Sequence, residues 1–488
     1  MNSSMQKLQP IEIWNNFSNL NAIPRASKKE QKVIQFIKNF GEKLNLPVIE
    51  DEVGNVIIKK PASPGMENRL TVCLQSHLDM VHQKNAETNF DFDTQGIQMY
   101  VDGDWLKADG TTLGADNGIG VAAIMSILAS NEIQHPPLEA LFTIDEETGM
   151  TGALGLKGGM LDAKILLNLD TEEDNELTIG CAGGIDVTGS GKYSSSGAPL
   201  NSKAIAIYVK GLTGGHSGID IHRGRANANK LIVRILLDVE TMFQAAVKFI
   251  DGGGLRNAIP RESSAVIFIS NGKLHEFKEY IKHIESVLQH EYKFTDPNLK
   301  IIAESYNANT TLTLDRKFQY ELLRVLNAIP NGISRMDSNI EGLVQTSNNL
   351  SRILVRRGDY SIQNLTRGSI ESEKMDLAHT LKTTMELIGA KVSFTGGYPG
   401  WTPNPHANIV QLMVKLYKEM YHDEPLVNAC HAGLECGILG SNYPDMEMIS
   451  FGPTIRGAHS PDEKVNIASV VKFWDFLLAT LKQIPQKN

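Results

Sequence analysis

Cysteine is scarce, with only four residues, Cys73, Cys181, Cys430 and Cys436, in a chain of 488, and no C-x-x-C pair. That excludes a dense disulfide framework and predicts reduced, mostly buried thiols in a cytoplasmic protein. No apolar run approaches the roughly 20 residues that span a bilayer. The opening MNSSMQKLQPIEIWNNF lacks the basic and apolar regions of a signal peptide. Basic residues are in deficit, 47 against 56 acidic, for a net charge of -9. This disfavours a nucleic-acid partner, which usually meets a basic face. Several catalytic signatures are also missing. GSGKYSSSG fails the P-loop spacing, and GADNGIG fails that of a dinucleotide site. No H-E-x-x-H and no G-x-S-x-G nucleophile elbow occurs.

What is present is the composition of a globular protein, 41% hydrophobic and 21% charged. The length suggests two to three domains. SKKEQKVIQFIKNFGEKL opens with Ser27 and Glu30 at capping-box spacing, and Val33, Ile34, Ile37 and Phe40 share a helical face. PVIEDEVGNVIIKKP reads as a hairpin turning at Gly54-Asn55. LTVCLQSHLDM, LEALFTIDEE and AKILLNLD read as buried strands alternating with helices, which indicates an α/β fold with a mostly parallel central sheet flanked by helices. Near residue 187 the texture changes to Gly/Ser-rich and then to an α+β pattern with a weak internal duplication. From about residue 398 the first pattern resumes. The expected organisation is therefore a catalytic domain over 1–186 and 398–488, interrupted by a second domain over 187–397.

In open α/β sheets, ligands gather at the carboxyl ends of the strands. Three strand ends deliver HLD (His77, Asp79), DEE (Asp145, Glu146, Glu147) and NLD (Asp170). Asp116 lies in the loop before its helix, and His459 in a later loop, GAHSPDE. Like charges in a row need a positive partner. If DEE is extended, its side chains alternate, so one carboxylate can bind a metal while its neighbour stays free to carry protons. Two histidines with several carboxylates suit Zn²⁺. The set exceeds one tetrahedral ion and suits two metals sharing a carboxylate. Each motif alone more often marks an ordinary loop; their joint placement is the signal.

SHLDM, GADNGIG, IDEETGMTG, NLD and GAHSPDE stand in the order and spacing of the di-zinc metallopeptidases that include aminoacylase and carboxypeptidase G2. With HAGLECG and the length of the insertion, the chain resembles the cytosolic aminoacyl-histidine dipeptidase branch, which cleaves Xaa-His dipeptides such as carnosine. The resemblance implies a zinc-peptidase catalytic domain and an α+β lid domain. It implies that His77 and Asp170 bind one zinc, that Glu147 and His459 bind the other, and that Asp116 bridges them. Asp79 would orient His77, and Glu146 would be the general base. In the lid, His216 would reach the scissile carbonyl and Asn257 would contact the substrate. Beside the resemblance, the Arg367 guanidinium ahead of a helix reads as a bidentate holder of a free carboxylate or as a surface arginine, and Gly433 of HAGLECG as a place where backbone approaches the substrate or as a helix-start glycine. The implied cofactors are two Zn²⁺ per chain, with Mn²⁺ or Co²⁺ as occupants of the same ligands. The implied partner is a small peptide, and the family allows homodimers. The rival within the clan is a hydrolase of other specificity, an N-acyl amino acid deacylase or a tripeptidase. A catalytically silent binding protein is the rival from another class; the intact Glu146 argues against it.

Overall fold

A computed structural model describes residues 5–487. The chain forms two compact units: Met1–Gly180 with Trp401–Ala429 and Leu434–Asn488, and Cys181–Gly400 with Cys430–Gly433.

The first unit is built on an eight-stranded sheet. Its centre is parallel: Leu138–Thr143, Val72–His77, Ile165–Asn168 and Glu447–Ser450 lie side by side. The hairpin of Val48–Glu50 and Val56–Lys60 adds antiparallel strands at one flank. Val72, Cys73, Leu74, Ala140, Leu141, Phe142, Leu166 and Leu167 are fully buried, as expected for strands covered on both faces. Helix Ala115–Ala129 is apolar all round and buried almost throughout, so it lies inside the layer stack rather than on its surface. Asn16 on helix Ile11–Asn21 donates to Ser126 at 2.9 Å and ties the next layer to it. The parallel register places His77 beside Thr143, and Gln75 beside Asn168. Three adjacent strands thus end at one level, and the polar residues that follow share one edge.

Two readings change. Ser27 does not cap a helix; the helix begins at Gln31, and the Ser27 hydroxyl donates instead to Asp79 Oδ2 at 2.8 Å. Its supposed capping-box partner, Glu30, accepts from the backbone N–H groups of Lys28 and Asp145. A buried carboxylate across the sheet edge outcompetes the local cap. Nor is DEE extended. The strand stops at Thr143, Asp145 sits at φ 51°, and Glu146–Gly149 is a helical turn. Asp145 accepts from the hydroxyls of Thr148 and Thr151. Its carboxylate stabilises the turn and is turned away from cluster duty.

The second unit carries an antiparallel sheet with the strand order Lys300–Ser305, Ser202–Lys210, Ser263–Ser270, Ala246–Gly253, Val344–Arg356, Asp359–Gly368, Gly183–Lys192, Lys391–Tyr398. The amphipathic helices Ala228–Phe243, Leu274–Glu291, Arg316–Ala328 and Glu371–Glu386 contribute Leu231, Ile235, Phe277, Leu322 and Leu381 to its core. The Gly/Ser-rich stretch starts within a strand of this sheet, Gly183–Lys192, and continues into Ser195–Gly197, which pairs separately with Leu312–Leu314. A Cβ at Gly189 would stand 2.6 Å from Met385 Sδ, and one at Gly191 would stand 2.6 Å from the Tyr360 hydroxyl. These glycines admit close packing and do not form a linker.

Candidate metal centre and lid site

Asp116 is the hub of the first unit's cluster. Its Oδ1 lies 3.1 Å from His77 Nε2, and its Oδ2 lies 3.3 Å from His459 Nε2. His77 Nε2 is also 3.4 Å from Asp170 Oδ1, and His459 Nε2 is 2.9 Å from Glu147 Oε2. Donor atoms of His77, Asp116 and Asp170 lie within 4.8 Å of one another, as do those of Asp116, Glu147 and His459. His77, Glu146 and Glu147 form a third such group. All seven residues expected here from sequence are gathered, and one carboxylate is common to the two half-sites.

The local folding explains how. Asp116 and Asn117 depart from helical φ/ψ at the head of helix Ala115–Ala129. The Glu463 carboxylate holds that loop, accepting from the backbone N–H groups of Leu113, Gly114, Ala115 and Asp116 at 2.7, 2.9, 2.7 and 3.3 Å. Charge-assisted bonds of this kind are worth about 1.5–3 kcal/mol each. Glu463 and His459 share one connection, because the short strands Ile455–Arg456 and Lys464–Asn466 pair antiparallel. His459 is at φ 64°, a left-handed conformation that costs a non-glycine residue energy and recurs at functional sites. Asp79 accepts from the backbone N–H of Glu146 at 3.0 Å and of Glu147 at 3.2 Å, while its Oδ1 stands 3.4 Å from His77 Nδ1. His77 Nδ1 also lies 3.1 Å from the Asp79 carbonyl, so Asp79 aligns the histidine through main chain and carboxylate together with the turn that bears Glu146.

The donor chemistry fits divalent cations. Four carboxylates and two imidazoles converge, and the buried Arg25 beside them spends its guanidinium on the carbonyls of Leu78, Asp79 and Gly114. Without a cation, protons must serve. Hydrogen bonds to Asp116 and Glu147 push His459 up to about 11. Burial would lower His77, yet Asp170, Asp116 and Asp79 raise it well above its ordinary value. Burial, together with Asp170, Glu435 and Glu147, raises Glu146 well above the usual carboxylate range. Cations at the two half-sites would replace those protons.

Sequence reasoning passed over Glu463 and Glu435. Glu435 is buried beneath the cluster, and its Oε2 accepts from Gln75 at 2.7 Å and Thr143 at 2.6 Å. Burial lifts it to about 7. An acid set among apolar neighbours in LECGIL was the available signal.

In the second unit, His216 Nδ1 accepts from the backbone N–H groups of Gly218 and Ile219 at 3.2 and 3.1 Å. A backbone N–H can only donate, so the proton of the neutral ring is on Nε2. That N–H faces Arg367 Nη2 at 3.5 Å. Two donors so close together can both donate to one acceptor placed beside them. Arg367 is buried and donates to the Tyr398 hydroxyl at 2.8 Å. Asn257 sits in an exposed turn whose carbonyl accepts from Ser217 N–H at 2.8 Å. Gly433 lies before helix Glu435–Asn442. The residue from its stretch that joins this group is His431, whose carbonyl would stand 2.2 Å from a Cβ at Gly218 and whose Nε2 is 2.7 Å from Ser347 Oγ.

Burial, then Arg367, lowers His216 to about 4, and the same causes lower His431 to about 3. Below about 6.5 the unfolded chain takes up protons that these folded rings refuse, so stability present above that pH is lost as pH falls toward 4. The melting-temperature advantage of wild type over His431→Gln is expected to shrink between about pH 7 and pH 4.5. A constant difference in paired thermal melts would contradict this.

An α/β domain that collects histidines and carboxylates at its parallel strand ends is the architecture of a metal-dependent hydrolase. The chain belongs to peptidase family M20/M25/M40, whose model matches residues 73–483. It is 41% identical over 485 residues to the "Cytosol non-specific dipeptidase" of Escherichia coli (strain K12), covering 99% of this chain and 100% of that protein. The crystal structure of an aminoacylhistidine dipeptidase from Vibrio alginolyticus superposes with a TM-score of 0.93 at 41% identity, covering 100% of this chain and 99% of that one. Aminopeptidase PepT from Bacillus cereus, at 14% identity and a TM-score of 0.57 over 98% of this chain and 99% of that one, shares the fold. Among the described residues no helix is long and apolar enough to cross a membrane.

Proposed function

We propose that this protein is a dipeptidase that hydrolyses dipeptides with a free carboxylate, Xaa-His among them, using two divalent cations, in the first instance Zn²⁺. The observation that carries the reading is Asp116 facing His77 with one oxygen and His459 with the other. His77 and Asp170 would hold one cation, Glu147 and His459 the other, with Asp116 available to both. When bound, the pair supplies a water acidic enough to ionise near neutral pH and Lewis-acid polarisation of the scissile carbonyl.

The chain's own groups do the rest. Glu146 accepts the proton of the attacking water and returns it to the leaving amine. Asp79 keeps His77 and the Glu146 turn in register. His216 donates its Nε2 proton to the carbonyl oxygen as negative charge develops there. Arg367 binds the free carboxylate, Asn257 donates to the substrate backbone, and the main chain at Gly433 passes close to it. A requirement for both peptide termini makes a dipeptidase rather than a general peptidase. The name of the E. coli relative supports a cytosolic setting, and its length and identity support the same substrate class.

A panel of Xaa-His dipeptides, other dipeptides, tripeptides and N-acetyl amino acids on zinc-loaded protein tests the reading. Dipeptides should be turned over and the others poorly; preferential deacylation of N-acetyl amino acids would replace it. Arg367→Leu is expected to raise KM for dipeptides about 10- to 100-fold, the loss of one bidentate charged contact. It should also abolish discrimination against dipeptide amides. Unchanged KM would remove Arg367 from carboxylate recognition.

A further inference from the structure

In LVQTSNNLSRILVRR five consecutive polar residues precede the apolar run. All five lie within the strand Val344–Arg356. Gln345, Thr346, Ser347, Asn348 and Asn349 are all at most 3% exposed. Burying polar side chains in a sheet is costly unless each is bonded, so their partners indicate what the strand is for. Ser347 and Asn349 share a face. Ser347 meets His431, and Asn349 meets the turn that bears Asn257.

The Asn349 amide nitrogen donates to the carbonyls of Arg256 at 3.1 Å and Ala258 at 2.8 Å, the two carbonyls that flank Asn257. The orientation of the amide is fixed by chemistry. Both targets are acceptors, and Asn349 Oδ1 accepts from Asn227 Nδ2 at 3.3 Å. Asn227 has no freedom to flip, since its Oδ1 accepts from the backbone N–H groups of Asn229 and Lys230 as the N-cap of helix Ala228–Phe243. On its other side the turn pairs with the strand of His216: Ala258 lies opposite His216, and Ser217 N–H bonds the Asn257 carbonyl. Asn349 thus holds from the sheet the backbone on both sides of the exposed Asn257, in a turn that the His216 segment also pairs with and that Arg256 anchors through Asp186 at 3.1 Å and Thr188 at 2.8 Å.

We propose that Asn349 is a positioning residue: by clamping the carbonyls on either side of Asn257 it sets that side chain, and the adjoining His216 strand, in register for the substrate. This rests on the roles given above to Asn257 and His216. No covalent step is added; the contribution is orientation, and misplacement of a recognition group by about 1 Å can cost on the order of 100-fold in rate.

The test is a double-mutant cycle on the full-length, zinc-loaded enzyme. Asn349→Ala and Asn257→Ala are each expected to lower kcat/KM for a dipeptide about 10- to 100-fold with metal content unchanged. Because Asn349 acts through Asn257, the double variant should fall no more than about threefold below Asn257→Ala. Losses that multiply, or a wild-type kcat/KM in Asn349→Ala, overturn the proposal. A wild-type kcat/KM in Asn257→Ala overturns it too, and shows that the fault is in the substrate role of Asn257 and not in the clamp. If Asn349→Ala does not fold, Asn349→Ser takes its place, with hydrogen exchange as a second readout. The Ser217 amide should then exchange faster while the strand of Arg367 keeps its protection; equal protection at Ser217 overturns the proposal.

Discussion

Replacing Glu146 with glutamine is expected to cut kcat for dipeptide hydrolysis by about 10²- to 10⁴-fold, the range of a general base, while the protein keeps its full complement of metal. The amide fills the same space and cannot take a proton. Glu146 lies with His77 and Glu147 in one group of close donor atoms, yet none of the short contacts around Asp116 uses it. Its backbone N–H is fixed by Asp79 at 3.0 Å, so the turn should persist in the variant. Elemental analysis and steady-state kinetics on the same preparation decide the matter. Substantial turnover in Glu146→Gln would pass the proton to another group; loss of metal would make Glu146 a ligand.

The second large effect concerns Asp116. Asp116→Ala is expected to lose metal at both half-sites, because His77 and His459 each face one of its oxygens. Asp170→Ala should weaken only the half-site it shares with His77. Stability reports the same difference. A cation at about 100 times its dissociation constant adds about 2.7 kcal/mol to the folded state. Zinc should therefore raise the melting temperature of metal-stripped wild type clearly, of Asp170→Ala partly, and of Asp116→Ala hardly at all. Equal responses in the two variants would mean that Asp116 is not shared.

The parallel sheet and the residues at its edge were legible because strand ends in open α/β sheets converge whatever the intervening chain does. His77, Glu147 and Asp170 follow from that rule. Asp116 and His459 joined the candidate set from loops next to those strands, and the motif resemblance gave them their ligand roles. Backbone conformation was less visible. Asp145 reads from sequence only as the first of three like charges in a row, and its positive φ and two threonine donors show that it holds the turn together. Ser27 carries a helix-start signature, but a buried carboxylate far along the chain takes its hydroxyl. The polar head of the strand Val344–Arg356 belongs with them, since its five consecutive polar residues find their partners, His431 and the turn at Asn257 among them, far off in sequence. Local pattern reports burial well where the buried atoms are apolar, and poorly where they are polar and bonded at long range.

The most direct test of the account follows metal content and dipeptide turnover together as a chelator strips the protein and zinc is returned. About two divalent ions per chain at the start, turnover that vanishes with them and turnover that returns with them is the predicted result. Undiminished hydrolysis by fully stripped protein would contradict it.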